Sequence, residues 1–324
     1  MNINNRITRI PFDRLEPING VKMMFNVSED PDFMLGWPEV YREEIDTHLS
    51  THGALLIRGV NIQEEQFGET LSSLFGEELI SYTYRSTPRT ELGKKVYTAT
   101  EFPSSESIPQ HNEKSYSNVW PLRIGFLCVQ PASKQGNTPI SDSRSIYKKI
   151  PIEIREEFER KKIMYVRNYS NIDLPWQEVF QTQEKKEVEA YCVANNIKWE
   201  WTERGLRTKQ INNASLYHPV TNEKVWFNQA HLFHVSSLDE ELKESLLMML
   251  GEEYLPRNTY FGDGSPIDES GLAEIRKIYE ETKFSFDWEQ NDLLLLDNML
   301  YTHGREPFEG SRKILVGMAR TYTE

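Results

Sequence analysis

Two short polar stretches far apart in the chain constrain the fold more than any other feature. They are Gln110-His111-Asn112-Glu113 and Asp297-Asn298-Met299-Leu300-Tyr301-Thr302-His303-Gly304-Arg305. Between them they hold two imidazoles and a carboxylate, the ligand set of a facial triad that leaves positions open on a ferrous ion. To act together they must become neighbours in space. If His111 to Glu113 runs as a strand, residues i and i+2 share a face and both side chains converge on one point. The apolar run Leu293 to Leu296 reads as a buried strand that delivers Asp297 and the polar loop ending in His303. Taken singly, each piece also suits ordinary structure. His-x-Glu occurs by chance in many chains, and a lone histidine is more often a hydrogen-bonded structural residue than a ligand.

The residues after each piece narrow the choice. Beyond His303 a loop leads to Arg312, which opens an apolar strand. Beyond Glu113 lie the strand-like Leu122 to Val129 and then Gly136-Asn137-Thr138-Pro139-Ile140-Ser141-Asp142. Arg312 offers a planar fork suited to a carboxylate, and Thr138 a hydroxyl that can help hold it. An iron triad beside a carboxylate anchor points to a keto-acid co-substrate.

These stretches, with Val225 to His234, Leu255 to Asn258 and Phe261 to Ser265, resemble the taurine dioxygenase (TauD/TfdA) superfamily of Fe(II)- and 2-oxoglutarate-dependent oxygenases. Within it they are most similar to the clavaminate synthase-like and SyrP-like amino-acid hydroxylases, whose clavaminate group also has Glu where taurine dioxygenase has Asp. The resemblance implies a mainly β, α+β fold with a double-stranded β-helix (jelly roll) core. It implies one domain over residues 1–324, with a helical insert at roughly 144–283 between the second and third ligands. It further implies iron ligands His111, Glu113 and His303, with Thr138 and Arg312 on the distal carboxylate of 2-oxoglutarate, and O2 as the second co-substrate. The implied reaction is hydroxylation of an amino acid, free or presented on a peptidyl carrier protein, in antibiotic-type secondary metabolism. Desaturation or cyclisation by the same oxidant, a non-catalytic protein of the same fold, and a zinc hydrolase using the same triad are the alternatives. Related halogenases vacate the carboxylate position, so Glu113 argues against halogenation.

Substrate contacts are sought in the long segment 77–109, a polar stretch leading into the iron site. Tyr82, Tyr84 and Arg85 are its candidates, and an ordinary surface loop is the rival reading. Asn228, at the end of the alternating strand Lys224 to Asn228, is placed facing the pocket. On the final strand Arg312, Ile314, Val316, Met318 and Arg320 share a face, so Arg320 is either a further substrate contact or the solvated end. His231 and His234 lack a nearby partner completing a second metal set and read as structural. Helices are expected over Pro38 to Ser50, Glu64 to Phe75, Ser143 to Lys162, from Thr182 onward, after a capping box at Ser237 to Glu240, and over Asp268 to Lys283. Residues 1–35 read as an edge strand or covering arm.

A net charge of −13 argues against nucleic acid or an anionic membrane as partner, since both call for basic patches. No stretch approaches a membrane span, and Met1 to Arg6 lack the apolar region of a secretory signal. Cys128 and Cys192 read as two buried free thiols, which suits ferrous chemistry in a cytoplasmic setting.

Overall fold

The leucine run Leu293–Asp297 is the spine of the larger sheet, and all of its residues are buried. In the computed structural model, which describes residues 15–27, 37–82, 84, 89–99, 102–170 and 172–324, it lies between Ala54–Arg58 and Val119–Gln130, antiparallel to both. The sheet continues through Lys313–Thr323 to Val96–Thr98 and Glu91–Gly93 on one side. On the other it runs through Val21–Asn26 to Glu16–Ile18, eight strands among the described residues. The described part of the N-terminal segment is thus an edge hairpin, and Val21–Asn26 pairs in parallel with Ala54–Arg58.

The unbroken apolar run reflects the covering of both faces of the sheet. Leu293 and Leu295 point to an outer layer of helices, where Phe67, Leu71 and Leu74 of Glu64–Phe75 pack. Gly125 lets that helix approach, because a Cβ there would stand 2.5 Å from Leu71 Cδ2. Leu294 and Leu296 point inward, to Ile140, Phe286, Trp288 and Met299. A smaller sheet, Ile108–His111, Tyr301–Arg305 and Ile140–Asp142, and the pair Phe308–Glu309 with Lys134–Gln135 complete the barrel. The result is a sheet-dominated α+β jelly roll with helices on the outside.

The segment between the two polar stretches carries helices and also a four-stranded antiparallel sheet, in the order Lys198–Thr202, Gly205–Asn212, Ile163–Tyr169 and Arg257–Phe261. It has its own apolar cluster around Phe158, Tyr165, Trp226 and Phe233. Two local expectations need correction. The helix expected over Ser143 to Lys162 is split into Ser143–Lys149 and Ile152–Lys161. Pro151 separates them, since proline disfavours a helical residue before it and Ile150 is extended at ψ 128°. The helix Glu240–Leu250 is capped by Asp239, whose side chain accepts from Leu242 N, while Ser237 ends a preceding 3-10 turn. Cys128 and Cys192 are buried and free. Among the described residues no helix is long and apolar enough to cross a membrane.

Candidate active site

His111 and His303 sit on antiparallel strands, Ile108–His111 and Tyr301–Arg305, as a directly paired couple. The strand ends at His111, so Glu113 is not its continuation as alternation suggested; it lies in the turn beyond. Asn298 draws it back. Its Oδ1 accepts from Glu113 N at 2.6 Å, and its Nδ2 donates to the carbonyls of Glu113 and Pro121, both at 2.9 Å. Asn112 donates to Asn298 O at 2.6 Å and to Ser143 Oγ at 3.1 Å, and Gln229 Nε2 donates to Asn112 O at 2.8 Å. Buried backbone polar groups must be paired, and where the ladder stops these amides take over its work.

The approach to His303 is fixed in the same way. Asp297 Oδ1 accepts from the amides of Met299 and Leu300, while Oδ2 pairs with Arg123 at 2.5 Å and meets His218 Nε2 at 3.2 Å. Gly304 then allows the strands to close, because a Cβ there would stand 2.6 Å from Ile108 O.

Nitrogen and oxygen atoms of His111, Glu113 and His303 lie within 4.8 Å of one another. His111 Nδ1 donates to Pro109 O at 2.9 Å, which leaves Nε2 with the free lone pair. Burial holds both imidazoles below the usual histidine range, and for His303 the neighbouring His111 adds to the effect. Burial alone raises the Glu113 carboxyl, but Arg89, His111 and His303 outweigh it and bring it down to about 2. Arg89 Nη2 stands 2.7 Å from Glu113 Oε2, with both side chains almost wholly buried. Two neutral imidazoles and one ionised carboxylate, held by their own outer partners, fit a divalent metal with open positions.

Beside this cluster lies a small cleft lined by His111, Phe126, Thr138, His303, Arg312 and Ile314 among others. Arg312 Nε donates to Gly136 O at 2.8 Å, and its Nη2 reaches Thr138 Oγ1 at 3.4 Å. Thr138 also accepts from Trp288 Nε1 at 3.0 Å. Burial, reinforced by the charge of Arg305, lowers the Arg312 pKa to about 10. That wall is positive and apolar at once, and an anion would relieve it.

The other candidates fall elsewhere. Tyr82 is buried beside the site, with the Arg89 guanidinium 4.5 Å from its ring centroid. Tyr84 packs with Tyr116, Phe180 and Tyr191 in the core of the insert. Arg85 lies outside the described residues. Asn228 does not face the cleft: its amide is used internally, donating to Ala214 O at 2.7 Å and accepting from Ala230 N at 3.1 Å. Arg320 is turned away as well. Its left-handed backbone, φ 59°, breaks the alternation of the strand and sends the guanidinium to Asp46 and Phe75 O on the helix side. His231 donates to Gln110 O and stacks on Tyr279, a structural role. Sequence reasoning missed Arg89, whose segment has no periodicity to mark it.

The model of the family described as taurine catabolism dioxygenase TauD, TfdA matches residues 26–319. Dapdiamide synthesis protein DdaC of Enterobacter agglomerans is 42% identical over 276 residues, covering 85% of this chain and 84% of that protein. A clavaminate synthase-like protein of Arabidopsis thaliana is 28% identical over 289 residues, with coverages of 85% and 84%. Among solved structures, PvcB of Pseudomonas aeruginosa aligns with a TM-score of 0.53 at 14% identity, over 93% of this chain and 87% of that one. AAD-2 in complex with Mn(II) and N-oxalylglycine aligns with a TM-score of 0.51 at 13% identity, over 87% and 88%. At such identities these two likenesses are of fold alone.

Proposed function

This chain belongs to the TauD, TfdA family of dioxygenases, and from that premise we propose an Fe(II)- and 2-oxoglutarate-dependent dioxygenase that hydroxylates an unactivated C–H of an amino acid. The observation that carries this reading is the convergence of His111, Glu113 and His303 beside a cleft that also presents Arg312 and Thr138. The relative named for dapdiamide synthesis supports a place in secondary-metabolite biosynthesis.

His111, Glu113 and His303 would hold the iron, and Arg312 with Thr138 the far carboxylate of 2-oxoglutarate. Iron and 2-oxoglutarate so held would, with O2, supply the oxidising chemistry, the co-substrate becoming succinate and carbon dioxide. The protein's part is placement. Asn298 and Pro109 set the directions of Glu113 and His111. Phe126, Ile108, Ile314 and Val316 line the cleft with apolar surface that keeps water from the reacting atoms. A neutral imidazole pair and an ionised Glu113 need no proton loss to receive the metal at neutral pH.

The test is succinate release with Fe(II), 2-oxoglutarate and O2, screened against free amino acids and the same acids loaded on a peptidyl carrier protein. His111→Ala is the blank. Oxygen-dependent succinate formation coupled to a product heavier by one oxygen supports hydroxylation, whereas oxygen-independent turnover with zinc would replace it by hydrolysis.

A further inference from the structure

Arg305 lies two residues beyond His303 and lines the same cleft as Arg312, yet neither the metal cluster nor the carboxylate anchor uses it. The residue is only 6% exposed. Nη1 donates to Phe102 O at 2.9 Å, and Nη2 donates to Pro103 O and Glu106 O, each at 2.6 Å. Nε is buried and has no acceptor among the described residues. Arg305 and Arg312 donate to carbonyl and hydroxyl oxygens, none of which carries a charge. Phe308 lies against both guanidiniums, with centroid distances of 5.2 and 5.7 Å. Buried cations that among the described residues meet neutral oxygens leave a demand for a carboxylate between them.

We propose that Arg305 is a second binding residue for the dicarboxylate co-substrate, its Nε donating to the carboxylate that Arg312 holds while its Nη groups fasten the segment 102–106 beside it. Binding the co-substrate then stiffens that segment, because one planar group serves both. Phe308 N donates to Ser104 O at 2.9 Å, so the same segment has a second tie close to the first. The inference rests on the 2-oxoglutarate reading above and assigns it a residue.

The experiment uses the full chain loaded with Mn(II) without oxygen, and titrates 2-oxoglutarate by calorimetry into wild type, Arg305→Gln, Arg305→Lys and Arg312→Gln. Hydrogen exchange over 102–108 is followed with and without 2-oxoglutarate. Arg305→Gln should keep Mn(II) affinity within about threefold and weaken 2-oxoglutarate by roughly 10- to 100-fold, the loss of a charge-assisted bond. In wild type, 2-oxoglutarate should slow exchange over 102–108, and Arg305→Gln should abolish that slowing. Arg305→Lys, which keeps the charge but lacks the fork, should show the same loss of protection and serves if the Gln variant does not fold. If Arg312→Gln loses 2-oxoglutarate while both Arg305 variants bind it within about twofold of wild type, the inference fails and the functional reading survives. If wild type itself takes up no 2-oxoglutarate, both fall.

Discussion

His111 and His303 are cross-strand partners, paired in register with ring centroids 4.7 Å apart. Two of the three candidate metal ligands are therefore placed by strand pairing in the small sheet, and only Glu113 has to be brought in from a turn.

Replacing either histidine, or Glu113, with alanine should lower metal affinity by more than the roughly 10- to 100-fold that loss of an outer partner costs. Wild type should also gain about 2.7 kcal/mol of stability when Mn(II) is present at 100 times its dissociation constant. Denaturant titration with and without Mn(II) checks both, and the His111→Ala variant should show no gain.

Asn298→Ala removes the group that pairs Glu113 N and the carbonyls of Glu113 and Pro121. Leaving such buried groups unpaired costs about 1–3 kcal/mol for each one that finds no water. Expected are a clear fall in unfolding free energy and a roughly 10- to 100-fold weaker metal site, at the scale of outer-partner loss. A variant that loses stability but binds Mn(II) normally would show that Asn298 holds the turn without directing the carboxylate.

Gly304→Ala places a methyl 2.6 Å from Ile108 O, a backbone atom that cannot swing aside. Overpacking of this kind costs about 1–3 kcal/mol. Because the clash lies beside the paired histidines, metal affinity should drop along with the melting temperature; titration and thermal unfolding read the two effects separately.

Acid should destabilise the fold ahead of ordinary carboxylate titration. Burial lowers the pKa of His48 to about 4 and that of His231 to about 3, both from 6.5. The folded chain keeps these rings neutral while the unfolded chain protonates them, so their contribution is complete above pH 6.5 and shrinks as pH falls toward the folded values. At about pH 5 each should account for about 2 kcal/mol of lost stability. Denaturant unfolding at neutral and acid pH measures the slope, and His231→Gln should flatten it.

The parts of the fold legible in the sequence were those set by local periodicity. Leu293 to Leu296 announced a strand covered on both faces, and Glu64 to Phe75 an amphipathic helix, because burial there repeats along the chain. His111, Glu113 and His303 were legible as a chemical set. How Glu113 reaches the others was not, since the connection depends on an amide, Asn298, that meets it only after the barrel closes. Arg89 was invisible for the same reason: its partner is decided by tertiary closure. Arg320 was misplaced because alternation assumes extended backbone throughout, and one residue at φ 59° is enough to change sides. Asn228 was misplaced because a polar residue at the end of a strand can serve the backbone of a packed neighbour, here Ala214 O, and of its own turn, Ala230 N, as readily as a ligand.

Placing the second and third candidate ligands on either side of a self-contained sheet and its helices has a further outcome. Doubling the length of a connecting segment adds only about 0.6 kcal/mol to the entropy of closing it. The loops within that sheet and its helices can therefore lengthen at little entropic cost to the histidine pair, provided Gln229 and His218 keep their contacts with Asn112 and Asp297. Lengthening such a loop should leave the ring spacing of His111 and His303 unchanged, because their register is set in the small sheet.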